Sequence, residues 1–142
     1  MCKKKCNMET KFNFKSAVCT DRNQSERLLV LGLKKETADM YYSTILENDD
    51  IARVCYEDFW NSNKAIDGYI RRRCIPAWSL HRLVSLCNTD NIKIAFNEKD
   101  CWGGKIIDER RTFLKHNNLY DNLCDCIEWL IKEGYFNKEY LV

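Results

Sequence analysis

The sequence predicts an α+β fold, and three observations support this prediction. The last third of the chain has the pattern of a long amphipathic helix. Two earlier segments have the residue types or the apolar–polar alternation of strands. The predicted helices and strands lack the regular alternation that is typical of a parallel sheet. We therefore expect a small antiparallel sheet with helices packed on one face and a long C-terminal helix.

The C-terminal helix is the clearest single element. Asn118 is a good N-cap residue, and Asp121 three positions later completes a variant of the capping box. Gly134 is placed to end the helix, because glycine readily adopts the left-handed conformation found after a last turn. The apolar residues between these limits recur at helical spacing: they are Leu119, Leu123, Cys126, Ile127, Leu130 and Ile131.

A first helix is predicted near the start of the chain. Either Thr20 or Asp21 can serve as its N-cap by accepting hydrogen bonds from free amide groups. The helix then covers residues 23–31, and Gly32 follows as its stop.

The segment after this helix predicts a strand and a turn, followed by a region whose secondary structure the sequence does not decide. Residues 40–46 are rich in aromatic and β-branched side chains, which favour a strand. The acidic residues 47–50 indicate a turn. Residues 51–70 combine apolar residues at helical spacing with aromatic residues that also allow an extended chain, so both interpretations stay open.

A proline and a serine organise the next segment. Pro76 disfavours a helical conformation at Ile75, so we expect an extended chain there. Ser79 is a good N-cap for a short helix over residues 80–86, which carries several leucines on one side.

A hairpin is predicted before the last helix. Residues 92–96 alternate apolar and polar side chains and predict a strand. Residues 97–100 would turn the chain, and residues 101–107 would form the return strand. Within it, Gly103–Gly104 indicates a bulge or a second tight turn.

Length and composition predict one globular domain over residues 1–142. The chain has 45% hydrophobic and 12% aromatic residues, and its one proline and five glycines leave no flexible linker. Residues 1–15 are expected to form a poorly ordered leader, with Met8 as an alternative start. The sequence contains no apolar run near the ~20 residues that a membrane-spanning helix needs, and no secretory signal. We expect a soluble, cytoplasmic protein without membrane contact.

The nine cysteines predict free thiols that pack as small hydrophobic residues. Their number is odd, and they do not form the paired Cys-x2-Cys units that are typical of zinc sites. Cys124 and Cys126 are separated by about 200° around a helix, so they are badly placed to share one ion. We expect no metal site and no cofactor.

Charge is distributed in blocks. The net charge of +2 is too small to indicate a nucleic-acid partner by itself. Basic residues dominate residues 1–27 and 64–82, whereas acidic residues dominate residues 34–60. Such blocks are compatible with a polarised surface or with complementary faces in a self-assembly.

Three separated blocks resemble a group of small proteins encoded by phages, prophages and mobile elements of Bacteroides-type gut bacteria. The blocks are RLLVLGLKKETADM (residues 27–40), IPAWSLHRL (residues 75–83), and NLYD with EWLIKEGYFNKEY (residues 118–121 and 128–140). These blocks make up about a third of the chain. It implies a cytoplasmic accessory protein made while a phage or element propagates, and it supplies neither an activity nor functional residues.

Two places in the sequence are candidate binding sites. Arg71, Arg72 and Arg73 precede Trp78, so three cations could hold phosphate groups or a nucleic-acid backbone beside a stacking ring. The competing interpretation is a solvated charge run next to a core tryptophan. Trp129 lies at the edge of the apolar stripe of the last helix, which makes it a candidate contact for a protein partner or a second subunit.

The sequence shows no catalytic signature. His81 and His116 are the only histidines, and neither lies near a serine–carboxylate pattern. Carboxylates occur in pairs at residues 49–50, 57–58 and 108–109, but adjacent loop residues rarely converge without help from other segments. Three function classes follow: a protein-binding accessory protein that can self-associate, a binder of nucleic acid or a small nucleotide (a host signal among them), and an enzyme with an unfamiliar carboxylate site.

Overall fold

The computed structural model describes residues 17–45, 51–87, 92–97 and 100–142. These residues form four α-helices and two three-stranded antiparallel sheets, and the longest helix is C-terminal. The predicted α+β class is therefore confirmed. The predicted leader and the predicted turn over residues 47–50 lie outside the described residues.

The structure differs from the prediction in the number of sheets, because two replace the single one expected. Strand pairing explains the difference. Among the described residues, the strand that begins at Met40 pairs with two segments between residues 52 and 77, and the hairpin after Cys87 adds its own third strand. The chain also divides into two compact units. In the described part, one contains residues 18–86 and 137–142, and the other contains residues 17 and 87–136. The single domain over residues 1–142 stays a prediction.

The first unit contains a sheet of strand order β2-β1-β3 and three helices. Its elements are α1 Arg22–Val30, β1 Met40–Ser43, β2 Ala52–Val54, α2 Ala65–Arg72, β3 Cys74–Ala77 and α3, which starts at Leu80 and ends at Cys87. The central position of β1 places Met40 opposite both Val54 and Ala77. Residues 51–70, which the sequence left open, contain β2 and most of α2.

Predicted caps account for the helix limits in this unit. Asp21 is the N-cap of α1, where its side chain and that of Gln24 form a reciprocal capping box. Gly32 follows this helix with φ of +104°, a conformation that strains other residues. Ser79 Oγ accepts a hydrogen bond from Arg82 N at 3.1 Å at the start of α3, as expected for an N-cap.

The second unit contains a sheet of strand order β4-β5-β6 and the long helix. Its elements are β4 Lys93–Asn97, β5 Asp100–Asp108, β6 Arg111–Phe113 and α4 Leu119–Lys132. The predicted hairpin is present as β4 and β5. Its register shifts between Phe96, which faces Gly104, and Asn97, which faces Asp100. The sequence did not predict β6.

The predicted limits and buried face of α4 are confirmed. Asn118 Oδ1 accepts hydrogen bonds from Tyr120 N and Asp121 N. The helix buries the residues of its apolar stripe except Ile131, which is half-buried. Gly134, with φ of +77°, follows the last turn.

Within the described ranges, no helix combines the length and the apolar character that crossing a bilayer requires.

Candidate functional site

An ion pair fixes the turn between β5 and β6. The Asp108 side chain is fully buried, and both of its oxygens accept hydrogen bonds from the Arg110 guanidinium, at 2.9 and 3.1 Å. Asp108 also accepts a hydrogen bond from Arg110 N at 2.9 Å. The side-chain hydrogen bonds from Arg110 hold the pKa of Asp108 below its ordinary value. The turn therefore holds Arg110 in one orientation.

Arg110 in turn contacts two aromatic rings. Its guanidinium carbon lies 3.8 Å from the centre of the Tyr135 ring and 5.2 Å from that of Trp129. The ring centre of Trp129 lies 5.6 Å from that of Tyr135 and 5.8 Å from that of Phe113. These contacts order Trp129 at the edge of α4 while leaving its side chain partly exposed.

A groove of about 480 Å³ lies between β6 and α4, and we call it the β6–α4 groove. One wall is formed by residues 111–115, which are β6 and the two residues after it. Four residues of α4 form the other wall: Asp125, Glu128, Trp129 and Lys132. Leu114 is 62% exposed, so an apolar side chain faces solvent on the wall opposite Trp129.

Both acidic residues of this groove lie beside basic groups. His116 Nε2 lies 3.0 Å from Asp125 Oδ2, and Lys132 Nζ lies 3.5 Å from Glu128 Oε1. Arg111 and Lys115 add two positive charges on the β6 wall. The charge of that wall is therefore positive, whereas the α4 wall carries two carboxylates and one ammonium group.

The structure places Trp129 where the sequence prediction put it, at the edge of the buried stripe. Its neighbours in the groove are Phe113 and Leu114. Its role as a partner contact stays a prediction.

The predicted ligand site at Arg71, Arg72, Arg73 and Trp78 is not assembled as the sequence suggested. Trp78 is fully buried. Its Nε1 donates to Thr37 Oγ1 at 2.9 Å, and its backbone N donates to Thr20 Oγ1 at 3.0 Å. It therefore exposes no ring face on which a base could stack.

The three arginines also differ from one another. Arg71 donates hydrogen bonds to the carbonyl oxygens of Phe59 and Ser62. The Arg73 guanidinium lies 3.9 Å from the centre of the Tyr69 ring. Arg72 is exposed and lines a second groove together with Arg71 and Trp60.

The described carboxylate pairs do not converge. Glu57 and Asp58 are exposed in a turn, and Asp108 is engaged by Arg110 while its neighbour Glu109 is exposed. The pair at residues 49–50 lies outside the described residues. Of the histidines, His81 is exposed and His116 pairs with Asp125. This arrangement offers no acid–base pair across a cleft within the described ranges.

The described cysteines are buried or half-buried thiols. Cys19, Cys87, Cys124 and Cys126 are buried, and Cys55 and Cys74 are half-buried. Burial raises the pKa of Cys55 to about 12. A hydrogen bond with Cys126, together with burial, raises the pKa of Cys87. Such thiols stay protonated at neutral pH, which makes them poor nucleophiles. In the ranges that the structure describes, no three His, Cys, Asp or Glu side chains are grouped to hold a metal ion.

The sequence did not predict that Trp60 and Phe113 line grooves or that Arg110 supports Trp129. Trp60 lies in the segment for which the sequence left helix and strand undecided. Arg110 is two positions from Asp108, a spacing that allows a side-chain pair across a tight turn, and this was the one available signal.

The chain was compared with protein-family models, curated proteins and solved structures, and none of them matches it.

Proposed function

We propose that this chain is a non-catalytic accessory protein of a phage or mobile element, and that it binds a protein partner through the β6–α4 groove. The observation that carries the proposal is the placement of a partly exposed, well-supported Trp129 in a groove beside an edge strand. Tryptophan is enriched among residues that dominate protein interfaces. The phage or mobile-element origin rests on the sequence resemblance alone.

The edge strand supports an extended partner segment. Among the described residues, β6 pairs with β5 on one side only. The amide and carbonyl groups of a strand edge are a template for a further strand, and alternate side chains of that strand then enter neighbouring pockets. Trp129 and Leu114 would contact apolar side chains of such a segment.

Charge indicates which extended segments fit best. Arg111 and Lys115 lie on the β6 wall and have no ion pair within the part of the chain that the structure describes. The Arg111 guanidinium instead lies 5.2 Å from the Phe113 ring centre. A partner segment that alternates acidic and apolar residues would match this wall, because charge complementarity favours the correct partner and repels wrong ones.

The proposal can be tested with synthetic peptides whose residues alternate glutamate with valine or isoleucine. Binding to the full chain would be followed by fluorescence anisotropy at two salt concentrations. We expect a measurable affinity that falls when glutamate is replaced by lysine, and falls again when prolines remove the peptide's amide donors.

Variants of the groove make the test specific. Leu114→Ser and Arg111→Glu should each weaken peptide binding about tenfold or more, and Trp129→Phe should weaken it less. Val30→Ser is the matched control, since Val30 is 82% exposed and belongs to the other unit. If the groove variants and the control bound the peptide with equal affinity, the proposal would be wrong.

Self-association gives a separate outcome of the same experiment. Light scattering of the full chain would show whether a dimer forms and whether Leu114→Ser dissociates it into monomers. A dimer that depends on Leu114 would identify a second copy of the chain as the protein partner.

A further inference from the structure

A second groove lies in the first unit, between α2 and the turn that precedes β1. Its volume is about 270 Å³, and we call it the Trp60 groove. Lys35 and Glu36 line it from the turn, Trp60 lines it from the loop before α2, and Arg71 and Arg72 line it from the last turn of α2.

Trp60 is a fixed, partly exposed wall of this groove. Its Nε1 donates a hydrogen bond to the Ala38 carbonyl oxygen at 2.9 Å. Phe59 contacts the ring edge-on at 4.9 Å between centres, and Phe59 itself stacks on Tyr41 at 4.9 Å. The ring is therefore held in place, and its uncovered part lines the groove. An ordered aromatic ring is a suitable platform for a nucleobase.

Two guanidinium groups converge beside this ring. A Cβ atom at Gly68 would lie 3.5 Å from Arg72 Nη1 and 3.7 Å from Arg71 Nη2, so both tips approach the same point over α2. The hydrogen bonds of Arg71 are to the carbonyl oxygens of Phe59 and Ser62 rather than to a carboxylate. An anion placed there would relieve the repulsion between the like charges.

The balance of charge favours an anion. Lys35, Arg71 and Arg72 contribute three positive charges, and Glu36 contributes the one negative charge among the lining residues. The C-terminal end of α2 opposes an anion with about half a negative charge. The three positive charges outweigh the partial negative charge of the helix end.

We propose that the Trp60 groove binds a nucleoside phosphate, with the base on Trp60 and the phosphate at the converging tips of Arg71 and Arg72, while Lys35 adds a third cation to the same groove. The volume lies just below the range of ordinary small-molecule pockets, which suits one nucleotide unit at a time. That unit is either a free nucleotide or one residue of a single strand. The proposal concerns the first unit, so it stands or falls independently of the β6–α4 groove in the second unit.

The test uses the purified full chain and calorimetric titration with four nucleoside monophosphates, a single-stranded oligoribonucleotide and inorganic phosphate. We expect nucleotide binding that weakens as salt rises. Tight binding of the oligonucleotide with weak binding of the mononucleotides would identify a strand as the source. The reverse would identify a free nucleotide.

Substitutions of the exposed cations Lys35 and Arg72 assign the site, and substitutions of the partly exposed Trp60 test its ring. The double variant Lys35→Ala, Arg72→Ala should weaken nucleotide binding at least about tenfold. The charge-matched control Lys64→Ala, Lys138→Ala should leave it unchanged, because neither residue lines the groove. Trp60→Phe should keep binding, and Trp60→Leu should weaken it about fivefold or more.

Three results would overturn the proposal. They are absence of nucleotide binding, equal loss in the double variant and its control, and equal affinity for inorganic phosphate and nucleotides. Urea midpoints of the double variant and its control, compared with the parent, separate loss of the ligand from loss of the fold.

Discussion

One buried polar residue, Asn122, fixes the loop that leads into α4. Asn122 is fully buried and uses its whole side-chain amide. Its Oδ1 accepts from His116 N at 2.9 Å, and its Nδ2 donates to the carbonyl oxygens of Gly104 and His116, at 2.6 and 2.9 Å. One side chain thus ties the helix to both the preceding loop and β5.

Replacing Asn122 with alanine should destabilise the protein by about 2–4 kcal/mol, because three hydrogen bonds disappear and buried backbone groups lose their partners. The measurement is the free energy of unfolding in urea. Asn117→Ala is the control, since Asn117 is exposed in the same loop. Similar losses for the two variants would contradict this account of Asn122.

The Asp108–Arg110 pair predicts a pH dependence of stability. The pKa of Asp108 is lower in the folded protein than its ordinary value of 3.8. Its contribution is therefore present above pH 3.8 and is lost as the pH falls through the lower folded-state pKa. Asp108→Asn should cost about 1–2 kcal/mol at pH 7, a value kept modest because Arg110 is partly exposed.

Thermal unfolding of Asp108→Asn and the parent between pH 2 and pH 7 tests this prediction. The difference between their stabilities should shrink toward the acid end. Glu109→Gln is the control, because Glu109 is an exposed neighbour in the same turn. A difference that stays constant over the whole range would contradict the pH argument.

Residue-level prediction from the sequence succeeded where local spacing was sufficient. The edge position of Trp129 followed from helical periodicity. The caps Ser79 and Asn118 followed from residue type, as did Asp21 as one of two candidate caps. The pairing of the arginines with Trp78 failed for a tertiary reason. Trp78 packs in the core, where its Nε1 donates a hydrogen bond to Thr37, a residue 41 positions away in the chain.

At the scale of elements, the predictable parts were those with long periodic patterns. The 14 residues of α4 show the apolar stripe several times over, whereas the 3 residues of β6 cannot show an alternation. β6 exists because it pairs with β5 and is fixed by the Asp108–Arg110 turn, neither of which a local pattern reveals. The division into two sheets escaped prediction for a similar reason, since β2 lay in the open segment.

Alanine substitutions at two glycines should change the stability of the protein in opposite directions. Gly68 lies inside α2, and a Cβ there would make ordinary contacts with arginine tips, so Gly68→Ala should stabilise the protein by about 0.5–1 kcal/mol. Gly134 has φ of +77°, so Gly134→Ala should destabilise it by about 1 kcal/mol. Urea unfolding of both variants measures the two signs. A stabilising Gly134→Ala would contradict the left-handed stop of α4.

At the scale of the whole molecule, the prediction of a single domain over residues 1–142 concerns how the two compact units unfold. Buried thiols offer a natural probe in each. Cys19 lies in the first unit, and Cys124 and Cys126 lie in the second. All three are at most 4% exposed, so they should react with iodoacetamide only when the surrounding structure opens.

A single domain requires that these thiols become reactive in one urea transition, because a small domain unfolds cooperatively. Brief alkylation at each urea concentration, followed by peptide mass spectrometry, gives a midpoint for every cysteine. We expect coincident midpoints for Cys19, Cys124 and Cys126. The variant Asn122→Ala distinguishes the two cases, since the hydrogen bonds it removes lie in the second unit. In a single domain it lowers all three midpoints together, whereas independent units would leave Cys19 at its parental value and assign each groove to a domain of its own.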